Sequence, residues 1–356
     1  MNQDPQTDIE PTTPDESGPP PRRRRAGWFV SILIFVLIAG ATLVGGGMVM
    51  LHRAYTDPGP LAADTRVIIP RGASGRMIGG ALAETGVVAD PRLFALAVRV
   101  FAPEQPLRAG EYTFPARISL RDAVAKLQSG EMVLRRLTIA EGLTTREILA
   151  QISAVDGLSG DVPEPGDIAE GALLPETYHY SWGDDRGGLV QRMVEARDEA
   201  LAQLWPARKA GLPIASPQDA VVLASIVERE TGLSEERARV AAVFINRLNR
   251  GMRLQSDPTV AYGIAEPGGA LDRPLTRADL KVDHPYNTYV HAGLPPGPIA
   301  NPGLASIEAV LNPSETSDLY FVADGTGGHA FARTLAEHNR NVARWRRIQR
   351  ELRRSK

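Results

Sequence analysis

Two carboxylates stand two residues apart in the segment Ser225-Ile226-Val227-Glu228-Arg229-Glu230-Thr231. A carboxyl moved above its ordinary range can act as a general acid, and once ionised as a general base. Glycosidic cleavage needs such a group, a Glu raised from roughly 4.3 towards roughly 6. Other catalytic chemistries find little support. The chain has no cysteine, which excludes a disulfide framework, thiolate metal sites and a cysteine nucleophile. Its six histidines form no His-Glu-x-x-His pair, and no Gly-x-Ser-x-Gly elbow is present. Gly325-Thr326-Gly327-Gly328 lacks the Lys and Ser/Thr of a phosphate-binding loop, and reads as a hairpin turn. No metal and no cofactor are expected.

The element that must position the carboxylates begins at Ser216-Pro217, an N-cap followed by proline at the first helical position. The helix runs to Gly232, and its apolar residues occupy every side, so it is expected to be buried. A carboxylate near a helix C-terminus opposes the macrodipole, and burial disfavours its charged form; both effects raise its pKa. At about 100° per residue, Glu228 and Glu230 point about 200° apart. At most one can face a given cleft, so the two are not a catalytic pair. From the residues alone one alternative stays open: a frayed helix end, with both groups solvated or paired to Arg229 or Arg237. Ser234 is expected to cap the following helix, which ends at Asn249-Arg250-Gly251. A polar segment with Gln255, Ser256 and Asp257 comes next. Later follows a Pro/Gly-rich loop carrying Tyr286, Asn287, Tyr289 and His291. Structured loops of this length usually carry function.

The formal net charge is −2, from 40 basic and 42 acidic side chains, so no basic field points to nucleic acid. Residues 1–27 are proline-rich and nearly devoid of apolar side chains, which reads as a disordered cytoplasmic tail. Residues 28–51 form an uncharged run of 24 residues, long enough for a transmembrane helix. Arg22 to Arg25 precede the run, which places the N-terminus in the cytoplasm and the remainder outside. A cleaved signal peptide is the rival reading, but signal cores run roughly 7–15 residues. Beyond the membrane, residues 69–86 echo residues 139–156 as strand, glycine turn and amphipathic helix. The first copy, 64–133, resembles a LysM-like glycan-binding module. At the C-terminus Val342, Trp345, Ile348 and Leu352 share a stripe among arginines, which reads as a solvated helix.

Four ordered segments carry a more specific resemblance. LASIVERET (223–231), VFINRLNRGMRLQSDPTVAYG (243–263), HPYNTYVHAGLPPGPIANPG (284–303) and YFVADGTGGHAF (320–331) resemble the endolytic murein transglycosylase family, the MltG- or YceG-like proteins. The segments IAEGLTTREI (139–148) and EGALLPETYHY (170–180) fit as well. Ala140, where the family usually has Pro, and Ala172-Leu173-Leu174 depart from the pattern. The resemblance implies cleavage of the MurNAc–GlcNAc β-1,4 bond inside nascent glycan strands without water, leaving 1,6-anhydroMurNAc ends. It implies that Glu228 is the catalytic residue, first as acid and then as base. Gln255, Asn287 and Tyr289 are the candidates for binding sugar or orienting Glu228, and Glu230 is read as structural, bridged to a nearby arginine. The expected fold is α+β: the tail, the span, the LysM-like module and a mixed α+β catalytic domain over 134–356. Implied too are peptidoglycan strands and cell-wall synthases as partners, and a single-pass inner-membrane location with the catalytic domain in the periplasm. An anchored non-catalytic glycan-binding scaffold and a hydrolytic muramidase remain as alternatives.

Overall fold

The computed structural model describes residues 24–265, 271 and 273–354. Of the tail expected over 1–27, residues 1–23 lie outside them, and 24–27 form the first turn of a helix instead. In chain order the elements are α1 (Arg24–Thr56), β1 (Thr65–Ile69), α2 (Gly75–Glu84), α3 (Pro91–Phe101), β2 (Gly110–Phe114), α4 (Leu120–Ser129), β3 (Arg135–Thr138), α5 (Thr145–Ser153) and β4 (Thr177–Tyr180). There follow α6 (Arg186–Leu204), α7 (Pro217–Glu230), α8 (Ser234–Asn249), α9 (Asp257–Ile264), α10 (Leu304–Leu311), β5 (Tyr320–Ala323), β6 (His329–Ala332) and α11 (Leu335–Arg354). The fold is α+β, with three two-stranded sheets among the described residues: β1–β2, β3–β4 and β5–β6.

The chain divides into two compact units. The first holds α1, α2, α3 and most of α4. Its α1 begins before and ends after the apolar run expected at 28–51, and its stretch Trp28–Thr56 is long and apolar enough to cross a membrane. Large apolar side chains along it, from Trp28 to Met50, are exposed. Phe94 and Ala97 of α3 are fully buried, and Phe94 packs close to Gly79 of α2. Most of β1 and β2 falls in the second unit, so the 64–133 stretch is divided between the two.

Among its described residues the second unit has two apolar cores. One joins β3, β4, α5 and α6 through Ile139, Ile148, Ile152, Leu173, Tyr178 and Leu189. Strands β3 and β4 are antiparallel, with Leu137 opposite Tyr178. The other joins α7, α8 and α10. Every residue of α7 from Ala220 to Val227 is buried, as its apolar circumference requires. Its start is the expected one. Ser216 caps the helix, Asp219 returns the hydrogen bond to complete a capping box, and Pro217 fills the first position. The cap of α8 differs from expectation. Leu233 occupies the cap position and Ser234 lies inside the first turn. The Thr231 hydroxyl accepts the Leu233 N–H, so a turn two residues earlier sets the entry. The expected hairpin is present as β5–β6, closed by Asp324 N–H donating to the Gly328 carbonyl.

Candidate active site

Glu228 occupies the last turn of α7, and its side chain is only 6% exposed. Two donors meet its carboxylate. The backbone N–H of Gly303 donates to Oε2 at 3.0 Å, and Nη2 of Arg237 lies 3.4 Å from Oε1. Gly303 is the N-cap residue of α10, so the positive end of that helix is directed at the carboxylate. The same Arg237 nitrogen lies 3.5 Å from Oε2 of Glu141. Arg237 is nearly as buried as Glu228, whereas the Glu141 side chain is 42% exposed, so Glu141 is the solvent-facing member of the cluster. The Glu141 carboxyl is pushed above the usual carboxylate range, by burial first and then by the charge of Glu228, with Arg237 opposing. Arg237 also lines a groove of about 410 Å³ with Ser234, Ala238, Ala305 and Glu308.

Glycines allow this close approach. A Cβ at Gly303 would collide with the Glu141 carboxylate. Gly142 adopts φ 78°, in the left-handed region that favours glycine, and turns the chain directly after Glu141. Arg229 donates to the Gly142 carbonyl at 3.0 Å. The turn is also tied to Asn301: Gly142 N–H donates to the Asn301 carbonyl, and Asn301 N–H donates to the Leu143 carbonyl.

Asn301 is the hub of this packing and is fully buried. Its Oδ1 accepts the Leu173 N–H at 2.9 Å, and its Nδ2 donates to the Leu143 carbonyl, the Thr145 hydroxyl and Glu170 Oε1. Glu170 also accepts from the Thr145 N–H at 2.8 Å, and its carboxyl is raised by burial first, against the hydrogen bonds from Thr145. The substitution Asn301→Ala leaves several buried partners unsatisfied. It should lower unfolding stability by about 2–3 kcal/mol, read by urea denaturation of the protein.

Glu230 turns away from Glu228, as the helical angle requires. Its partner is a hydroxyl and not the expected arginine: Ser256 Oγ donates to Oε1 at 2.5 Å. Burial raises the Glu230 carboxyl above its ordinary range, with the Ser256 hydrogen bond opposing. Below the unfolded-state value of roughly 4.3 the group is neutral in both states. As pH rises through that value the unfolded chain ionises first, so stability falls until the folded-state group ionises too. Glu230→Gln should therefore match the parent at acid pH and exceed it in melting temperature near neutrality. An equal loss at every pH would contradict this.

The residues proposed from composition gather on the Glu230 side. Gln255 is exposed, adopts φ 50° and donates its N–H to the Thr288 carbonyl. A non-glycine residue in that region is uncommon and carries backbone strain. Thr288 Oγ1 accepts the Ser256 N–H, which links this loop to the Glu230 partner. Asn287 is buried, and its amide is occupied by the loop itself. It donates to the Val282 carbonyl at 2.7 Å and accepts the Tyr289 N–H at 2.9 Å. The Tyr289 hydroxyl donates to Asp257 at 2.6 Å, and burial, followed by Asp257, raises its pKa. The structure thus brings Gln255, Asn287 and Tyr289 together, but the groups that hold Glu228 are Arg237 and Gly303. Glu141, Asn301 and Glu170 were not singled out from the sequence. They lie in the IAEGL, ANPG and EGALL segments, which belong to the stretches that carry the family resemblance, and that resemblance was the available signal.

Comparison with known proteins is specific. A family model described as the YceG-like family matches residues 67–344. The chain is 30% identical over 361 residues to the endolytic murein transglycosylase of Streptococcus pneumoniae serotype 2, strain D39, covering 88% of this chain and 64% of that protein. It therefore spans somewhat less than two thirds of that relative. It is also 30% identical over 330 residues to the endolytic murein transglycosylase of Bacillus subtilis strain 168, covering 84% of this chain and 90% of that one. A 2.6 Å crystal structure of a yceG-like protein from Listeria monocytogenes covers 78% of this chain at 30% identity, with a TM-score of 0.47. With the family model spanning both apolar cores and the Glu228 cluster, the chain belongs to the YceG-like family.

Proposed function

We propose that this protein is an endolytic peptidoglycan transglycosylase with Glu228 as its acid and base. Support comes from the names of the pneumococcal and Bacillus relatives and, in the molecule itself, from one observation. Glu228, in the last turn of an apolar helix, is a nearly buried carboxylate with two donors directed at it.

In the proposed reaction Glu228 gives its proton to the glycosidic oxygen as the C1–O bond breaks. The resulting carboxylate is stabilised by the Gly303 N–H and Arg237. It then takes the proton of the sugar's own 6-hydroxyl as O6 bonds to C1. Protons balance and no water is consumed. The product is a 1,6-anhydroMurNAc end. Glu141 supplies a second carboxylate, which raises the hydrolytic alternative. However, paired-carboxylate glycosidases hold their groups about 5–9.5 Å apart, flanking the bond. Glu141 and Glu228 instead meet one guanidinium nitrogen, side by side on a single cation, and the Glu228 charge helps to raise the Glu141 carboxyl.

The reading extends to the rest of the chain. Trp28–Thr56 anchors the protein in the inner membrane, with the N-terminus cytoplasmic and the catalytic domain, 134–356, periplasmic. Residues 64–133 form a LysM-like glycan-binding module, and the 284–303 loop with Gln255 and Tyr289 contacts sugar. Cell-wall synthases are the proposed neighbours. Size separation of uncrosslinked glycan strands after treatment with the full-length protein tests the endolytic reading. Mid-length fragments from the earliest times support it. Release of disaccharides alone, or intact strands, would overturn it.

A further inference from the structure

Leu93, Leu96 and Val100 fall on one stripe of α3, within about 60° of one another at about 100° per residue. They are 39%, 47% and 41% exposed, while Phe94 and Ala97 on the adjoining stripe are fully buried. Arg92 and Arg99 are exposed and lie along one edge of the stripe. An apolar face of this kind, rimmed by charge, marks an interaction surface.

The helix meets the end of α1 at two points. Phe101 stacks on Tyr55 with ring centroids 4.7 Å apart, and His52 meets the same ring edge-on at 5.9 Å. Near the other end of α3, Leu93 lines a groove of about 200 Å³ together with Ala54 and Asp57 of the α1 exit segment. The apolar run of α1 ends at Leu51, and Tyr55 lies about 6 Å further along the helix axis. That distance matches the headgroup layer, which adds about 5–7 Å on each side of the hydrocarbon core. Thus α3 stands where α1 leaves the membrane.

We propose that α3 is a second membrane contact, an interfacial helix that buries Leu93, Leu96 and Val100 at the acyl–headgroup boundary of anionic lipid. Arg92 and Arg99 pair with lipid phosphates along the edge of the stripe. The inference rests on reading α1 as a membrane span. It would hold this unit against the bilayer surface, beyond what one spanning helix provides.

The cysteine-free chain makes the test direct. Single cysteines are placed by Leu96→Cys, Ala95→Cys and Leu37→Cys in the full-length protein and labelled with a small fluorophore. The protein is reconstituted in phosphatidylcholine–phosphatidylglycerol nanodiscs. The label at position 96 should be quenched by headgroup-level nitroxide lipid and shielded from iodide. The label at position 95, on another side of α3, should show the reverse, and the one at position 37 should respond to deep nitroxide lipid. Iodide quenching at position 96 with lipid quenching intact at position 37 overturns the proposal and leaves the anchor standing. Shielding of position 96 from both quenchers means a protein covers the stripe, which also overturns it. Failure of lipid quenching at position 37 rejects the anchor itself.

Discussion

Glu228→Gln is expected to lower glycan cleavage by about 10²–10⁴-fold, the range lost when a general acid–base is removed. The fold should survive. The amide oxygen can still accept the Gly303 N–H, and α7 keeps its apolar packing. Melting temperature is therefore expected to stay close to that of the parent, which separates lost chemistry from lost structure. Glu230→Gln is the internal control. Its side chain faces Ser256, on the other side of the helix, and its cleavage rate should be retained. Loss of activity in both variants alike would point to a structural role for the whole helix end.

Arg237→Met should produce the second large effect, on stability and on pH dependence together. The guanidinium is buried between Glu228 and Glu141, and its removal leaves Glu228 as a buried charge without its cation. Breaking a buried pair in this way costs about 3–5 kcal/mol. The penalty exists only while the carboxyls are ionised, so it should shrink as pH falls through the carboxylate range. Arg237 opposes the upward shift of the Glu141 carboxyl, so without it the Glu141 proton should be held to higher pH. The basic limb of the cleavage profile should then move upward while the maximal rate falls. Arg237→Lys should restore stability better than rate, because one ammonium cannot hold both carboxylates in the guanidinium geometry. An unchanged pH profile in Arg237→Met would contradict the role given to this cluster.

The helix that carries Glu228 was legible because local rules write it. Ser216 and Pro217 mark its start, and a full apolar circumference marks its burial. The opposed directions of Glu228 and Glu230 followed from helix geometry alone. What packs on each direction did not. Glu141 and Gly303 lie far from Glu228 in sequence, and they meet it through a glycine turn and a helix cap whose placement depends on tertiary packing. The composition of the 284–303 loop favoured sugar contact, yet composition cannot show which polar groups are already used. The Asn287 amide is occupied by its own loop, whereas Gln255 stays exposed in a strained conformation. The partner of Glu230 was misread for a similar reason. Arginines lie near it in sequence, but Ser256 reaches it in space.

Glu228 as a single acid–base that needs no water is the central claim, and the oxygen source of the new chain ends tests it most directly. Glycan strands are cleaved by the full-length protein in heavy-oxygen water, and the new ends are examined by mass spectrometry. The account predicts anhydro ends, each lighter by one water than a reducing end and free of heavy oxygen. Reducing ends carrying heavy oxygen would contradict it, and would make Glu141 and Glu228 a hydrolytic pair.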